Sequence, residues 1–306
     1  MMKLKNILFP TDFSHCADQA LTHAVYLAEK YQAALHLLHV VTLFEDQPDV
    51  LNDELAETEV LVRKLEEKAE SELQNVANTH GSDDMEIVTN QKRAISAAPA
   101  ILEYASKNGI DLIVMGTHGR RGIEHLLLGS VAEEVVRLAD CPVFTIRESE
   151  KVKPIKLFER ILVPVDFSDH SKKALAYAKE IADSYDANLQ LLHIIEDTIH
   201  PAFSLSGKSS IFDLVPGIEE DCNRRIKELI QETGISKENT EIIVKGGQAA
   251  HDIIKFAKDN LSDLVVIATH GLTGIENLLL GSVTEKVVRM ASCPVFTVKS
   301  FGKDLK

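Results

Sequence analysis

The sequence has 306 residues, of which 45% are hydrophobic and 26% are charged, a composition typical of a globular chain with about two domains. Its formal net charge of -14 argues against general binding to nucleic acid or to anionic membranes, since both require a basic surface. No apolar run is long enough to span a membrane, and the four cysteines are widely spaced without a C-x-x-C pair. We therefore expect a cytoplasmic protein without a membrane segment, a zinc knuckle or a disulfide framework.

The first half of the chain alternates short apolar runs, typical of buried strands, with segments of helical periodicity. The pattern predicts strands at 5–11, 35–41, 86–89, 111–115 and 142–147, and helices at 14–31, 50–79, 94–107 and 130–139. The long helix at 50–79 is rich in Glu, Lys and Leu, so we interpret its outer face as solvated, with partner binding as the alternative.

The second half repeats this order of elements. It predicts strands at 160–165, 188–195, 241–245, 263–268 and 294–299, and helices at 168–185, 218–233, 249–260 and 282–291. The stretch at 198–217, with Pro, Ser and Gly, is interpreted as a tolerant insertion, with a mobile lid as the alternative. Between the halves, a Lys-rich stretch with Pro154 indicates a linker at 148–158, which gives domains at 1–147 and 159–306.

A direct comparison of the two halves shows that the chain repeats itself. Residues 116–147 align without gaps with residues 268–299, and 22 of the 32 aligned positions are identical. Near the start of each half, residues 6–14 (N-I-L-F-P-T-D-F-S) pair with residues 160–168 (R-I-L-V-P-V-D-F-S). This repetition indicates one domain that has been duplicated and fused.

Apolar strands that alternate with helices predict an α/β fold with a parallel sheet covered on both faces. Such sheets bind ligands beyond the carboxyl ends of their strands, where the strand order reverses. Asp12 follows the first strand and a Gly-rich loop follows the fourth, so we expect both to face one crevice. The last strands, Val143–Ile146 and Val295–Val298, are apolar, and we expect the two domains to pair through them because apolar sheet edges are normally covered.

The loop after the fourth strand carries the most specific pattern, G-x-x-G, nine residues, then G-S, at residues 116–130. Glycines allow backbone N–H groups to approach a ligand closely, and a helix N-terminus attracts anions, so the pattern fits phosphate binding. The alternative is structural, because Ser130 with Glu133, and Ser282 with Glu285, match a helix capping box. From these residues alone, both interpretations stay open.

Together with the P-x-D-F-S opening, this loop resembles the nucleotide-binding loop of the universal stress protein family, whose pattern is G-x-x-G, nine residues, then G-[ST]. The L-L-H-[VI] of the second strand, at 37–40 and 191–194, is similar to that family as well. The resemblance covers essentially all of both halves. It implies two tandem open five-stranded parallel sheets with helices on both faces, the adenine-nucleotide alpha-hydrolase-like fold with strand order 3-2-1-4-5.

The resemblance also implies roles for individual residues. In ATP-binding members the aspartate after strand one lies by the adenine or ribose, which corresponds to Asp12, and the residue after the strand-two histidine contacts adenine through its backbone, which corresponds to Val40. The first two loop glycines contact ribose and phosphate, and the final Gly-Ser with the next two residues cradles the phosphates. The set implied for the first domain is Pro10, Thr11, Asp12, Val40, Met115, Gly116, His118, Gly119, Gly129, Ser130, Val131 and Ala132.

The second half departs from the family pattern at one position. Ala268 replaces the first glycine, and we expect its Cβ to hinder close approach or a positive φ angle. Whether the second domain also binds a nucleotide is therefore left undecided by the sequence. The residues of such a site would be Asp166, Ile194, Gly271, Gly281, Ser282, Val283 and Thr284.

The resemblance implies a regulatory protein of the stress response that binds ATP or ADP with Mg²⁺ in its first domain, as a conformational or partner switch. The alternative is a scaffold of the same fold without nucleotide, favoured by Ala268 and by the lack of glycine at 92–94, where the second half has Gly246 and Gly247. Adenylyl transferases and ATP pyrophosphatases are rejected, since they need H-x-G-H or a Ser-Gly-Gly loop after strand one, where this chain has P-T-D-F-S.

The sequence brings together no nucleophile, base and orienting group, so we expect no dedicated enzymatic activity, while slow ATP hydrolysis stays open. His118 and His270 lie in the loops without other metal ligands at suitable spacing, so we expect no side-chain metal site. Protein partners are unknown, and a homodimer of the fused pair stays open.

Overall fold

The computed structural model describes residues 3–42, 55–81, 85–119, 128–148, 158–196, 210–271 and 280–299. The chain divides into two compact units, Lys3–Ile155 and Lys156–Gly302, called here the first and the second domain. Most of the predicted linker at 148–158, and residues 198–209 of the predicted insertion, lie outside the described residues.

Five strands alternate with four helices in the described part of the first domain. They are β1 (Asn6–Pro10), α1 (His15–Tyr31), β2 (Ala34–Thr42), α2 (Leu55–His80), β3 (Ile87–Ala94), α3 (Ala97–Lys107), β4 (Leu112–Gly116), α4 (Ser130–Leu138) and β5 (Val143–Ile146).

The second domain repeats this order with one short extra helix, α6. Its elements are β6 (Arg160–Pro164), α5 (Asp169–Tyr185), β7 (Asn188–Glu196), α6 (Ile211–Leu214), α7 (Ile218–Thr233), β8 (Thr240–Gly247), α8 (Ala249–Asp259), β9 (Leu264–Ala268), α9 (Ser282–Met290) and β10 (Val295–Val298). None of the helices described in either domain combines the length and the apolar character that crossing a membrane requires.

The strand order within each domain is the predicted one. It is β3-β2-β1-β4-β5 in the first domain and β8-β7-β6-β9-β10 in the second, and these strands pair in parallel. Right-handed crossovers put α1 and α2 on one face of the first sheet and α3 and α4 on the other. The strand order reverses between β1 and β4, which leaves a crevice at their carboxyl ends.

The central strands are covered on both faces, which explains their unbroken apolar sequence. Ile7 and Leu8 of β1, and Ile113 and Val114 of β4, are 0% exposed. Burial of an aliphatic side chain of this size stabilises the folded state by about 1.5–3 kcal/mol. The two strands that border the crevice are therefore firmly held by the core.

An aspartate ties the amino end of β1 to that of β4. The Oδ2 atom of Asp111 accepts hydrogen bonds from the backbone N–H groups of Lys5, at 2.8 Å, and Asn6, at 3.0 Å. Asp263 does the same in the second domain, where the N–H groups of residues 159 and 160 donate to its Oδ2, both at 3.0 Å. These carboxylates hold the central strands together at their amino ends, opposite the crevice.

Strand β3 differs most from the prediction. It runs over Ile87–Ala94 rather than 86–89, and the helix predicted from residue 94 begins at Ala97. The strand lies at the edge of the sheet and pairs with β2 from Ile87 to Ala94, although residues 90–93 are all polar. An edge strand is ordered by backbone hydrogen bonds to one neighbour, so it needs no continuous apolar run. The equivalent β8 extends beyond its predicted range for the same reason.

Candidate functional site

A cavity of about 740 Å³ opens at the carboxyl ends of β1, β2 and β4 in the first domain. Its wall comprises the turn after β1, the end of β2, the loop after β4, the start of α4 and one side each of α2 and α3. It brings together all twelve residues predicted for the first domain, namely Pro10, Thr11, Asp12, Val40, Met115, Gly116, His118, Gly119, Gly129, Ser130, Val131 and Ala132.

The turn after β1 holds Asp12 in a defined orientation. Phe13 has a left-handed backbone, with φ of 59°, and its N–H donates to Thr11 Oγ1 at 3.0 Å. The N–H of Ser14 donates to Asp12 Oδ1 at 3.1 Å. One carboxylate oxygen of Asp12 is therefore engaged in the turn, and the other is directed toward the glycine loop.

Gly119 allows this loop to pass directly over Asp12. A Cβ atom at position 119 would lie 2.5 Å from Asp12 Oδ2, well inside the contact distance of two heavy atoms. The aspartate after strand one and the second loop glycine are thus parts of one structure, as their expected positions at a shared crevice predict.

Gly116, the last residue of β4, packs against the first turn of α1. A Cβ atom there would lie 2.8 Å from Cys16 Sγ, so packing rather than backbone conformation requires the glycine. The thiol of Cys16 is buried and donates to the carbonyl of Ile146 at 3.6 Å. Burial raises the pKa of this thiol, which therefore stays protonated and unreactive.

Helix α4 begins in a way that the capping-box interpretation does not predict. Gly129 is the N-cap residue and Ser130 is the first helical residue, so Ser130 does not cap the helix and that interpretation is wrong. The same holds for Gly281 and Ser282 in α9. The N–H of Gly129 donates to Thr117 O at 2.8 Å, and a Cβ at 129 would lie 3.0 Å from that oxygen. The start of α4 is therefore folded back against β4, with Ser130 exposed.

Two histidines of the cavity wall are held by hydrogen bonds. His118 Nδ1 lies 2.8 Å from the hydroxyl of Thr117. His39 Nδ1 donates to the carbonyl of Thr11 at 2.7 Å, and its ring centroid lies 4.7 Å from that of Phe13. His39 is thus hydrogen-bonded and only partly buried.

Helix α2 contributes cavity residues that the sequence analysis missed. Leu65, Lys68 and Glu72 line the cavity, although the whole outer face of this helix was interpreted as solvated. Their spacing of three and four residues places them along one side of the helix. The same spacing describes a water-facing stripe, so the sequence carries no signal that distinguishes the two.

The model of the universal stress protein family matches residues 3–147 and 157–299. The chain belongs to the universal stress protein family. It is 26% identical over 322 residues to the universal stress protein E homolog of Haemophilus influenzae, covering 99% of this chain and 100% of that one. It is 34% identical over 151 residues to universal stress protein MJ0531 of Methanocaldococcus jannaschii, covering 48% of this chain and 86% of that one.

A solved structure supports the same fold. The crystal structure of a universal stress protein from Archaeoglobus fulgidus matches with a TM-score of 0.68 at 22% identity, covering 96% of this chain and 98% of that one. The fold is thus the predicted one over nearly the whole length of this universal stress protein.

The second domain of this universal stress protein repeats much of the geometry. Ser168 N–H donates to Asp166 Oδ1 at 3.0 Å, and a Cβ atom at Gly271 would lie 2.5 Å from Asp166 Oδ2. A Cβ atom at Gly281 would lie 3.1 Å from Thr269 O. The other residues of the open second site lie at the end of β7 and the start of α9; they are Ile194, Ser282, Val283 and Thr284.

Ala268 does not conflict with a positive φ angle, contrary to the expectation from the sequence. Neither Ala268 nor the equivalent Gly116 has one. A Cβ atom at Gly116 would point at Cys16, and the residue in that place in the second domain is His170. Ala268 lies in the regular strand β9, 6% exposed, so the methyl group is accommodated by a different neighbour.

Proposed function

We propose that this universal stress protein binds an adenine nucleotide, ATP or ADP, in the cavity of its first domain and acts as a nucleotide-dependent regulator. The observation that carries the proposal is the convergence of the Asp12 turn, the glycine loop and a helix N-terminus on one cavity. Its volume of about 740 Å³ lies within the range of about 300–1,000 Å³ that is typical of small-molecule sites.

The phosphate groups would lie at the start of α4. The first intrahelical hydrogen bond runs from Glu133 N–H to Gly129 O, at 2.9 Å, so the N–H groups of residues 130–132 precede it. Gly129 has no side chain that could accept from them. The positive end of the helix dipole favours an anion at this point, and Lys68 adds a positive charge to the cavity wall.

The base and the ribose would lie toward the end of β2. β1 pairs with β2 only as far as Pro10 and Leu38, so the backbone groups of Val40, two residues further along, face the crevice instead of a strand. These groups can donate to and accept from an adenine edge. Asp12 Oδ2, held at the rim by the turn, can accept from a ribose hydroxyl.

Mg²⁺ would be held chiefly by the nucleotide itself. In the part of the chain that the structure describes, no three His, Cys, Asp or Glu side chains group as a metal site. Mg²⁺ bound with a nucleotide takes phosphate oxygens and waters as ligands and needs few protein carboxylates.

We propose binding and regulation, in the cytoplasm, rather than a dedicated enzymatic activity. Water bound beside a triphosphate is compatible with slow hydrolysis, and the acidic net charge of -14 favours protein partners over nucleic acid or anionic lipid as readers of the nucleotide state.

Released ligand tests the proposal most directly. The protein is purified without added nucleotide and denatured, and the small molecules set free are identified by mass spectrometry. We expect ATP or ADP at close to one equivalent per chain, and binding of Mg-ATP by protein that has been emptied. A chain that is empty and also fails to bind Mg-ATP contradicts the proposal, and a nucleotide-free scaffold then becomes the better account.

Ser130→Asp tests whether the phosphates bind at the start of α4. A carboxylate at the first position of α4 suits the helix dipole but repels phosphate, so we expect affinity for Mg-ATP to fall at least about tenfold with little change in stability. Gly129→Glu should abolish the released nucleotide as well. The matched changes Ser282→Asp and Gly281→Glu, in the second domain, should leave the released nucleotide in place.

A further inference from the structure

The second domain places an arginine against an aromatic ring of its site. The guanidinium carbon of Arg225, on α7, lies 3.8 Å from the ring centroid of Phe167. Phe167 has φ of 67° and packs on His193 with ring centroids 4.4 Å apart, as Phe13 (φ 59°) packs on His39 at 4.7 Å. In the first domain that pair of rings lines the cavity. Arg225 therefore covers a ring whose counterpart belongs to the cavity wall.

The first domain has an acidic residue in the place of Arg225. Helices α2 and α7 end at residues 80 and 233, and this offset of 153 aligns Glu72 with Arg225. Glu72 lines the cavity. The register is supported by two pairs of equivalent buried residues, Ala69 with Cys222 and Leu73 with Ile226.

The charge of Arg225 acts on His193 in the same region. Burial lowers the pKa of His193 and the neighbouring Arg225 lowers it further, whereas the hydrogen bond to Val165 O and the charge of Asp166 raise it. Asp166 is the counterpart of Asp12. The guanidinium thus lies at the end of the site to which we assign the base and the ribose.

Building on the function proposed for the first domain, we propose that Arg225 decides which domain takes the nucleotide. Stacked on Phe167, it occupies the base end of the second site, so the first domain fills before the second. A nucleotide that enters the second domain must displace the guanidinium from the ring. Loss of a cation–π contact lowers affinity by about threefold when the contact is exposed and by about thirtyfold when it is partly desolvated. We expect a nucleotide in the second domain to bear a cost in this range.

The backbone at the phosphate end is alike in the two domains, although the same offset of 153 aligns Lys68 with the acidic Asp221. The N–H of Gly281 donates to Thr269 O at 2.9 Å, against 2.8 Å for the equivalent bond in the first domain. Thr284 is buried and its hydroxyl donates to Ala268 O at 2.7 Å, inside the fold. At the base end, Thr11 corresponds to Val165 and Val40 to Ile194, and the change from Glu72 to Arg225 is the one among these three that alters the charge.

Titration calorimetry with Mg-ATP tests the proposal. The intact chain is measured first, because a chain that binds nothing contradicts the function proposed for the first domain. The first site is then disabled by Gly129→Glu, and the second domain is measured with and without Arg225→Ala, a change at an exposed residue. We expect Arg225→Ala to tighten binding by the second domain about three- to thirtyfold.

Three results would overturn the proposal. They are an affinity that Arg225→Ala leaves unchanged, a second domain with Arg225 intact that binds as tightly as the first domain, and no detectable binding by the second domain even with Arg225→Ala. Ala268→Gly with Arg225 intact separates the effect of residue 268 from that of residue 225. If this change alone tightens Mg-ATP binding by the second domain, the selectivity belongs to residue 268 instead.

The reciprocal change moves the arginine into the first domain. We expect Glu72→Arg to weaken Mg-ATP binding by the otherwise unchanged chain about three- to thirtyfold. Glu70→Arg makes the same change of charge at an exposed position of α2 and should alter the affinity by less than about twofold. Equal losses from both variants would mean a general effect of charge and would contradict the proposal.

Discussion

Asp12 and Gly119 depend on each other in the first domain. One oxygen of the carboxylate accepts from Ser14 N–H at 3.1 Å, and the other lies where a Cβ atom of residue 119 would be 2.5 Å away. The second domain repeats the arrangement with Asp166 and Gly271, also at 2.5 Å. A side chain on either glycine therefore has to displace the aspartate.

Gly119→Ala should separate ligand binding from stability. The added methyl group pushes Asp12 away from the ribose position, so we expect affinity for Mg-ATP to fall about tenfold or more, as loss of a charged hydrogen bond does. Calorimetry measures the affinity, and thermal unfolding reports the stability. Gly271→Ala introduces the same contact in the second domain, and an equal loss of affinity from that variant would contradict the assignment of the site to the first domain.

His23 is a buried titratable residue remote from the proposed ligand. It is 5% exposed on α1, with its ring centroid 5.9 Å from that of Phe144. Within the described residues, its Nδ1 has no hydrogen-bond partner. Burial lowers the pKa of His23 from 6.5 to about 4, so the ring is neutral in the folded protein near neutral pH.

This residue should make stability depend on pH. Because the unfolded chain binds the proton first, the contribution of neutral His23 is complete above pH 6.5 and is lost as the pH falls toward about 4. The shift corresponds to about 3 kcal/mol in the free energy of unfolding. Urea unfolding at about pH 7 and about pH 4.5 measures it. His23→Tyr, the residue type of the equivalent Tyr177, should remove this part of the pH dependence, and an unchanged dependence would contradict the assignment.

At the scale of whole elements, one aspartate in each domain, Asp111 or Asp263, holds the amino ends of the two central strands together. Asp111→Ala leaves two backbone N–H groups without their acceptor, and we expect the free energy of unfolding to fall by about 2–4 kcal/mol. Asp111→Asn keeps an acceptor oxygen and should lose less. Asp263→Ala is the matched change in the second domain, and urea unfolding followed for each variant measures both. A loss below about 1 kcal/mol from Asp111→Ala would show that other contacts hold β1 to β4.

The sequence predicts the strands and helices well where a single physical cause dominates. β1 and β4 are buried on both faces, so their apolar runs identify them. The glycines after β4 indicate places where the backbone passes close to Asp12 and Thr117. β3 was predicted too short because an edge strand with polar residues has no such run. The capping role assigned to Ser130 failed because serine at a helix start suits both the N-cap and the first turn.

Contacts that depend on how a helix packs in the tertiary fold could not be predicted from the sequence. Lys68 and Glu72 reach the cavity because α2 crosses beside β2, and no local pattern separates a side chain that faces a polar cavity from one that faces water. The stacking of Arg225 on Phe167 likewise joins a helix and a turn far apart in the chain. Asp12 and the glycine loop are also far apart in the chain, but each directly follows a central strand of a parallel sheet, and this made their meeting predictable.

At the scale of the whole molecule, one fold occurs twice with different sites. Residues 116–147 and 268–299 share 22 of 32 positions, and differences at the positions of Gly116 and Glu72 lie in the crevice wall of the first domain. A ligand stabilises the folded state only of the part that binds it. Duplication has thus kept the scaffold while residues of the two crevices diverged.

The contact between Gly116 and Cys16 restricts the order in which such halves can diverge. A methyl group at 116 would lie 2.8 Å from the sulfur, whereas the second domain combines alanine at 268 with His170, whose ring lies 6.1 Å from that of His270. If the ancestral domain carried the cysteine and glycine pair, a change of the glycine to alanine had to shift the sulfur of Cys16. Replacement of the cysteine removes that contact, so a substitution at the helix position eases the one at the strand.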